Sequence, residues 1–415
     1  MLEAQKYPAE KIAFISSYRP RKCGIATFTA DLIDNMRRIS GQEFKPLVVA
    51  MESQERLNYN GLVGFTVRRD VLPDYLLAAE YINLNDIEAV SIQHEFGLFG
   101  GNGGSYLKHL LNKLNKPVVT TLHTVPEETS TDYYDSLMDV CRASQKVVVM
   151  NKRGIEILRD TYGLSSNKIE LIPHGIPNLP FSQGSYCKRR LGVGGRRVIL
   201  TFGLLSKNKG IEVMLKALPR IVRSCPSILY IILGATHPEV LCHEGNLYER
   251  HLRKMTGDLK LENNVVFCNR FVKDKELFLF LGAADVYVTP YLHKEQLTSG
   301  TLAYAMGAGK AIVSTPYRAA EEMLADGRGK LVGFGDPDDM AGAILEFLKD
   351  ESSTAKMRTR AYRYSKQFIW TKVAESYRGF FNPLRSEIPK PASLSFGSVN
   401  SKESPYKTQP VHLSA

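Results

Sequence analysis

Short β-branched runs alternate with segments of helical period along most of the chain. In the first half the runs are Ile12–Ser16, Pro46–Ala50, Ala89–Gln93, Val118–Leu122, Lys146–Met150 and Glu170–Ile172. Amphipathic stretches such as Ala26–Ile39 and Ser105–Asn115 lie between them. Strand, helix and strand in repetition predict a parallel sheet with helices on both faces. The pattern restarts with Val198–Phe202, Leu229–Leu233, Val265–Cys268, Val286–Thr289 and Ala311–Ser314. Between the halves, Asn178–Arg197 is rich in Gly, Ser and basic residues and reads as a linker. Met357–Phe381 reads as one helix and carries Trp370, the single tryptophan. Asn382–Ala415 is rich in Pro, Ser and Lys and poor in core residues, which predicts a disordered tail. The expected fold class is α/β, with two Rossmann-like, doubly wound parallel-sheet domains facing a cleft.

Composition narrows the function classes. A chain of 415 residues exceeds one typical core, consistent with two domains. Lys and Arg number 54 against 43 Asp and Glu, a net charge of +11. Such an excess favours anionic partners, among them phosphorylated ligands and lipid headgroups. Nucleic acid is not an expected partner, because no zinc-finger spacing or basic–aromatic motif is present. The six cysteines, Cys23, Cys141, Cys187, Cys225, Cys242 and Cys268, form no Cys-x-x-Cys pair. That argues against a zinc site and fits reduced thiols in a cytoplasm. Met1–Glu10 lacks the apolar core of a signal peptide, and no apolar run approaches the ~20 residues of a membrane span. The expected location is cytoplasmic, with peripheral contact at the inner membrane surface left open.

Candidate chemistry gathers at strand ends. After Ile12–Ser16 comes Gly24 at a helix start, where backbone N–H groups and positive potential suit a phosphate. After Val198–Phe202, the turn Gly203–Gly210 carries Lys209, which can neutralise a diphosphate leaving group. After Val286–Thr289, Thr298, Ser299, Gly300 and Thr301 precede helix Leu302–Gly307, a cradle of hydroxyls and N–H groups. In doubly wound folds ligands bind outside the carboxyl ends of strands, where all three turns fall. His94, His123 and His174 follow successive strands and are expected on one rim. No histidine pair has zinc spacing, so neither a metal nor a cofactor is expected.

These motifs resemble the retaining, family-four glycosyltransferases of GT-B fold (glycosyl transferases group 1) over roughly residues 11 to 382. Arg21–Ala26 is similar to the family's glycine loop, with Cys23 in place of the first glycine. Thr121-Leu122-His123 resembles Thr-Phe-His, and Ile172–Ile176 resembles Pro-Asn-Gly-Val. Gly203–Gly210 resembles Gly-Arg-Leu-x-x-x-Lys-Gly, with Lys209 kept and Leu204 where the arginine belongs. Alignment on Ala308-Gly309-Lys310 puts Gln296 and Tyr304 where the family has two glutamates, with Glu295 one place off. The resemblance is therefore to a divergent member. Arg21, Lys22, Lys207 and Arg270 are candidates to replace the missing arginine.

The resemblance implies a retaining transfer from a nucleotide-diphosphate-sugar donor to a saccharide or lipid-linked acceptor. It assigns His123, Lys209 and Gln296 to catalysis. Gly24, His94, Glu95, Ser299, Gly300, Thr301 and Tyr304 are expected to bind substrate, with Tyr304 at the ribose. It implies residues 1–180 as the acceptor-side domain and 181–365 as the nucleotide-sugar domain. Residues 366–383 would be a helix crossing back to the first domain, with a tail over 384–415. A GT-B epimerase, a phosphorylase and a weakly active sugar-nucleotide-binding scaffold remain alternatives.

Overall fold

The computed structural model describes residues 10–53, 56–59, 61–127, 131–181 and 184–386. The first half supplies strands β1 (Glu10–Ser16), β2 (Phe44–Glu52), β3 (Val63–Arg68), β4 (Ala89–His94), β5 (Val118–Leu122), β6 (Lys146–Val149) and β7 (Ile169–Leu171). The second supplies β8 (Arg197–Phe202), β9 (Ile228–Leu233), β10 (Val265–Cys268), β11 (Val286–Thr289), β12 (Ala311–Ser314) and β13 (Lys330–Leu331). Helices of the first half are α1 (Gly24–Ser40), α2 (Leu72–Leu84), α3 (Leu107–Lys113), α4 (Thr131–Ala143) and α5 (Lys152–Asp160). The later helices are α6 (Gly184–Arg190), α7 (Ile211–Ser224), α8 (Pro238–Glu244), α9 (Leu247–Asp258), α10 (Asp274–Ala283), α11 (Gly300–Gly307), α12 (Arg318–Leu324), α13 (Pro337–Lys349), α14 (Glu351–Ser365) and α15 (Trp370–Ser386).

Both sheets are parallel and doubly wound, as the alternating pattern predicts. The order is β3-β2-β1-β4-β5-β6-β7 in one and β10-β9-β8-β11-β12-β13 in the other. Along β1 the side chains alternate between two cores. Ile12 and Phe14 face α1 and α15, while Ala13 and Ile15 face α2 and α3. This two-residue period with both faces buried is what a parallel strand requires. The strand order reverses between β1 and β4, and again between β8 and β11, so each sheet has one switch-point crevice.

Three local expectations need correction. The stretch expected to be a linker contains α6, pinned by a Lys188–Asp285 ion pair at 2.6 Å and by Cys187 packed on Gly282. The single helix expected over Met357–Phe381 is two helices, α14 and α15, separated by a tight turn at Lys366–Phe368. The edge strand β3 was not among the expected strands, because its Val-Gly-Phe-Thr-Val-Arg pattern is half polar and half exposed. Helix α15 runs to Ser386, and the rest of the expected tail lies outside the described residues.

The chain crosses between the sheets twice, and the two crossings are stitched together. Ile176 N–H donates to Phe368 O at 2.8 Å, and Trp370 N–H donates to Ile176 O at 2.9 Å. From there α15 lies along the first sheet, burying Trp370, Val373, Ala374, Tyr377 and Phe381 with Phe14, Phe28 and Ile33. The hydroxyls of Tyr377 and Thr121 share a bond of 2.8 Å. Trp370 packs so closely on Gly175 that a Cβ there would lie 2.1 Å from the indole. Trp370→Ala should therefore lower unfolding stability by roughly 3–5 kcal/mol, the usual cost of emptying a large aromatic site. Urea denaturation followed by circular dichroism measures it. A loss below about 1 kcal/mol would mean the stitch carries little.

Candidate active site

The site is built from loops at the two switch points, with the second sheet holding its most distinctive group. Loops after β8 and β11 pair, Leu292 N–H donating to Asn208 O at 3.0 Å. This places Lys209 Nζ over the ring of Tyr291, 3.8 Å from its centroid. Lys209 is half-buried and has no carboxylate partner among the described residues. Burial pulls its ammonium down to about 8. The Tyr291 hydroxyl in turn lies 2.9 Å from Thr301 Oγ1, in the first turn of α11. An uncompensated cation and a helix N-terminus thus share one tyrosine.

The hydroxyls expected to form a cradle are instead engaged inside the domain. Ser299 Oγ caps α11 by accepting from Leu302 N–H at 3.3 Å and also accepts from the Tyr317 hydroxyl at 3.2 Å. What α11 offers outward is backbone N–H and the dipole of its first turn. Gly300 has a further reason for being glycine. A Cβ there would meet His174 Nε2 at 2.7 Å, across the cleft. Gln296 bends into its own loop, donating from its amide to Thr298 O at 2.9 Å. Glu295 is held by Arg318 at 3.4 Å. Of the candidates to replace the missing arginine, Lys207 pairs with Glu244 and Arg270 with Glu276, leaving Arg21 and Lys22.

On the first sheet, the start of α1 is open. Cys23 caps it, its Sγ accepting from Ala26 N–H at 3.4 Å, and a Cβ on Gly24 would meet nothing within 4 Å. One turn further, Phe28 is the hub of an aromatic cluster. His123, His174 and Trp370 pack edge-on to its ring at 5.0, 5.2 and 5.2 Å. His123 Nε2 lies 3.0 Å from Gln93 Oε1, and the Gln93 amide faces Ser91 and Thr121 hydroxyls. Nε2 is therefore the donor, and Nδ1 is left as an acceptor. Burial, then the neighbouring His174 and His94, lower His123 to about 3, so the ring is neutral. His174 bonds Gly175 O through Nδ1 at 2.8 Å, and burial lowers it to about 4.

Two expected rim residues are engaged within the first half of the chain. His94 is fully buried, stacked on Phe99 and edge-on to Phe96, with no partner for either ring nitrogen among the described residues. Glu95 ties two loops together, accepting from Phe96 N–H at 3.1 Å and from the Thr124 hydroxyl at 2.7 Å. Tyr304 is engaged by the other half of the chain. It is 8% exposed and donates to Asp31 Oδ2 at 3.2 Å, joining α11 to α1.

Several residues outside the expected set hold the halves together. Asp31 also takes an ion pair from Arg19 at 2.7 Å, yet burial outweighs it and raises the carboxyl to about 6. Asn151 caps α5 through its Oδ1 and donates from Nδ2 to Leu297 O at 2.7 Å. Leu297 itself packs among Phe96, Leu122 and Val125 of the first half. Arg318 reaches Glu127 at 2.9 Å, and Arg153 pairs with the same carboxylate. No local signal marks Asp31, whose neighbours one turn away on α1 are Thr27, Asp34 and Asn35 as well as Phe28. Among the described residues no cluster of three His, Cys, Asp or Glu side chains could hold a metal ion.

Residues 23–178 match the model of Glycosyltransferase Family 4, and residues 196–350 match that of Glycosyl transferases group 1. The chain belongs to this glycosyltransferase family. It is 28% identical over 262 residues to phosphatidyl-myo-inositol mannosyltransferase of Mycolicibacterium smegmatis, covering 62% of this chain and 63% of that protein. An uncharacterised glycosyltransferase of Methanocaldococcus jannaschii is 24% identical over 82% of this chain and 89% of its own. Against the first three curated relatives, the match spans 63%, 52% and 44% of their lengths. Anabaena HepE in complex with UDP superposes with a TM-score of 0.70 at 17% identity, over 90% of this chain and 100% of that one. Sucrose-phosphate synthase of Thermosynechococcus elongatus gives 0.72 at 16%, over 91% and 99%. At such identities the superpositions establish the fold, which is GT-B.

The Asp31–Tyr304 contact sets a pH test. Asp31 titrates higher in the folded chain than in the unfolded one. Its protonated form therefore adds stability below pH ~4, and this contribution is lost as pH rises through about 6. Asp31→Asn should raise unfolding stability relative to wild type at pH 7, by up to about 2 kcal/mol. The advantage should vanish near pH 4. Thermal melts at both pH values decide it, and a variant destabilised at pH 7 would show that the Arg19 pair dominates.

Proposed function

We propose that this chain is a retaining glycosyltransferase taking sugar from a nucleotide-diphosphate-sugar donor bound between its two sheets. The observation that carries the reading is Lys209, a half-buried cation with no acidic partner among the described residues, sharing Tyr291 with the first turn of α11. A diphosphate supplies the charge such a site lacks, accepting from the lysine and from α11 N–H groups. Family membership, and the UDP named for Anabaena HepE, support a nucleotide-sugar as the ligand.

In the proposed reaction the bond from the anomeric carbon to the phosphate oxygen breaks as the acceptor oxygen bonds on the same face. The acceptor proton passes to a phosphate oxygen of the leaving group. Lys209 and the α11 N-terminus stabilise the charge that builds there. Neutral His123 orients the sugar, its free Nδ1 accepting from a hydroxyl. Gly24 leaves room for an approach to the N-terminus of α1. The Asn151–Leu297 and Glu127–Arg318 contacts join the two halves and must loosen for entry and release.

The acceptor in this reading is a saccharide or a lipid-linked molecule near a membrane. The relative from Mycolicibacterium smegmatis is named for a phosphatidyl-myo-inositol, which favours the lipid. The scaffold reading draws on Gln296, a neutral amide bonded within its own loop. It predicts nucleotide binding without turnover. Incubation with nucleotide-sugars and acceptors, followed by mass spectrometry, separates the readings. A glycosylated acceptor supports transfer; bound nucleotide with an unchanged acceptor supports the scaffold.

Lys209 gives the sharpest check. Lys209→Met should weaken UDP binding by roughly 10- to 100-fold, the value of a charge-assisted contact. In the wild type, affinity should fall as pH rises through about 8, where the free lysine loses its proton. Calorimetry at several pH values measures both. Unchanged affinity in the variant would remove Lys209 from the donor site.

A further inference from the structure

The positive charge of this protein is concentrated. Residues 184–197, covering α6 and the turn into β8, carry five Lys or Arg and no acid. Residues 351–386, covering α14 and α15, carry eight Lys or Arg against Glu351 and Glu375. These stretches hold +5 and +6, which is the net charge of +11 for the whole chain. The remaining 365 residues are neutral in sum.

The two stretches meet in space. Arg197 pairs with Glu351 at the start of α14, and just before α6 Leu179 O accepts from the Tyr362 hydroxyl at 2.8 Å and Asn178 Oδ1 from Lys366 Nζ at 2.7 Å. Phe181, just before α6, packs on Tyr362 at 5.0 Å with Arg358 above it. Leu191, at the end of α6, shares a core with Tyr364 and Phe368 on one face of the second sheet. Along α14, Lys356, Arg360 and Arg363 recur at helical spacing and form one exposed stripe.

Some of these cations are already paired. Lys188 pairs with Asp285, Arg197 with Glu351 and Arg378 with Glu10. Arg189, Arg190, Lys356, Arg363 and Lys372 are exposed, with no acidic partner among the described residues. Beside them Phe181 and Tyr186 leave aromatic surface in solvent, at 39% and 51% exposure.

We propose that this face docks the protein on a bilayer surface bearing anionic phospholipid headgroups. The free cations are exposed along helices α6, α14 and α15. Unpaired Lys and Arg are drawn to an anionic leaflet, and exposed rings settle at headgroup depth. The face lies on the second sheet's helical layer and the crossing to α15, away from the switch-point loops. The inference rests on the lipid-proximal acceptor of the proposed function for its purpose. Docking itself requires no turnover.

Co-sedimentation of the full chain with vesicles tests it. Mixed phosphatidylcholine and phosphatidylglycerol vesicles should bind the chain, pure phosphatidylcholine should not, and salt should weaken binding. The pair Arg189→Gln with Arg190→Gln should weaken partitioning about 30-fold, and so should the α14 pair Lys356→Gln with Arg363→Gln. The control pair Lys45→Gln with Lys216→Gln removes as much charge from elsewhere and should change it little. Equal loss in the control, equal binding to neutral vesicles, or full binding by both test pairs would overturn the proposal. So would test pairs that lose hold of a single-stranded RNA while keeping the vesicles. Docking without transfer, with UDP still bound, would count against the transferase reading alone. Normal transfer without docking would count against this inference alone.

Discussion

The contact on which the arrangement depends is the stitch between Ile176 and the Phe368–Trp370 turn. Two backbone hydrogen bonds fasten the outgoing crossing of the chain to the returning one. Trp370 then fills the space that Gly175 leaves and packs on Phe28. Phe28 in turn supports His123 and His174, the two histidines beside the cleft. His174 reaches across to Gly300, at the first turn of α11. The geometry of the candidate donor site is therefore coupled, through packed rings, to how the chain crosses between its sheets.

Much of the fold is legible because buried parallel strands are written in continuous apolar runs. The run Val118–Leu122 has the bounds of β5, and Ala89–Gln93 lacks only the last residue of β4. What escapes are elements whose stability comes from neighbours. Helix α6 has a basic, glycine-flanked sequence, and its place is set by Asp285 and by Cys187 against Gly282. The break before α15 is likewise tertiary: after the tight turn ending at Phe368, Ile369 turns extended to pair with Ile176.

The site is legible in place more than in role. Strand ends predict where loops gather, and Lys209 stands at a switch point with the uncompensated charge a diphosphate site calls for. Side-chain direction is not readable. Tyr304 stands one helical turn from Gly300, yet its hydroxyl turns to Asp31 on the other sheet's helix. Ser299 and Thr301 carry hydroxyls at a helix start, yet Tyr317 and Tyr291 occupy them. His94 follows a strand as His123 does, but Phe96 and Phe99 enclose it. In each case the deciding partner lies on another element, at a distance no local pattern encodes.

The central claim is that the second switch point, between β8 and β11, holds the donor diphosphate. A crystal structure of the protein with UDP tests it most directly. The account predicts phosphate oxygens within hydrogen-bond distance of Lys209 Nζ and of N–H groups in the first turn of α11. A diphosphate bound elsewhere, with Lys209 still resting only on Tyr291, would contradict it.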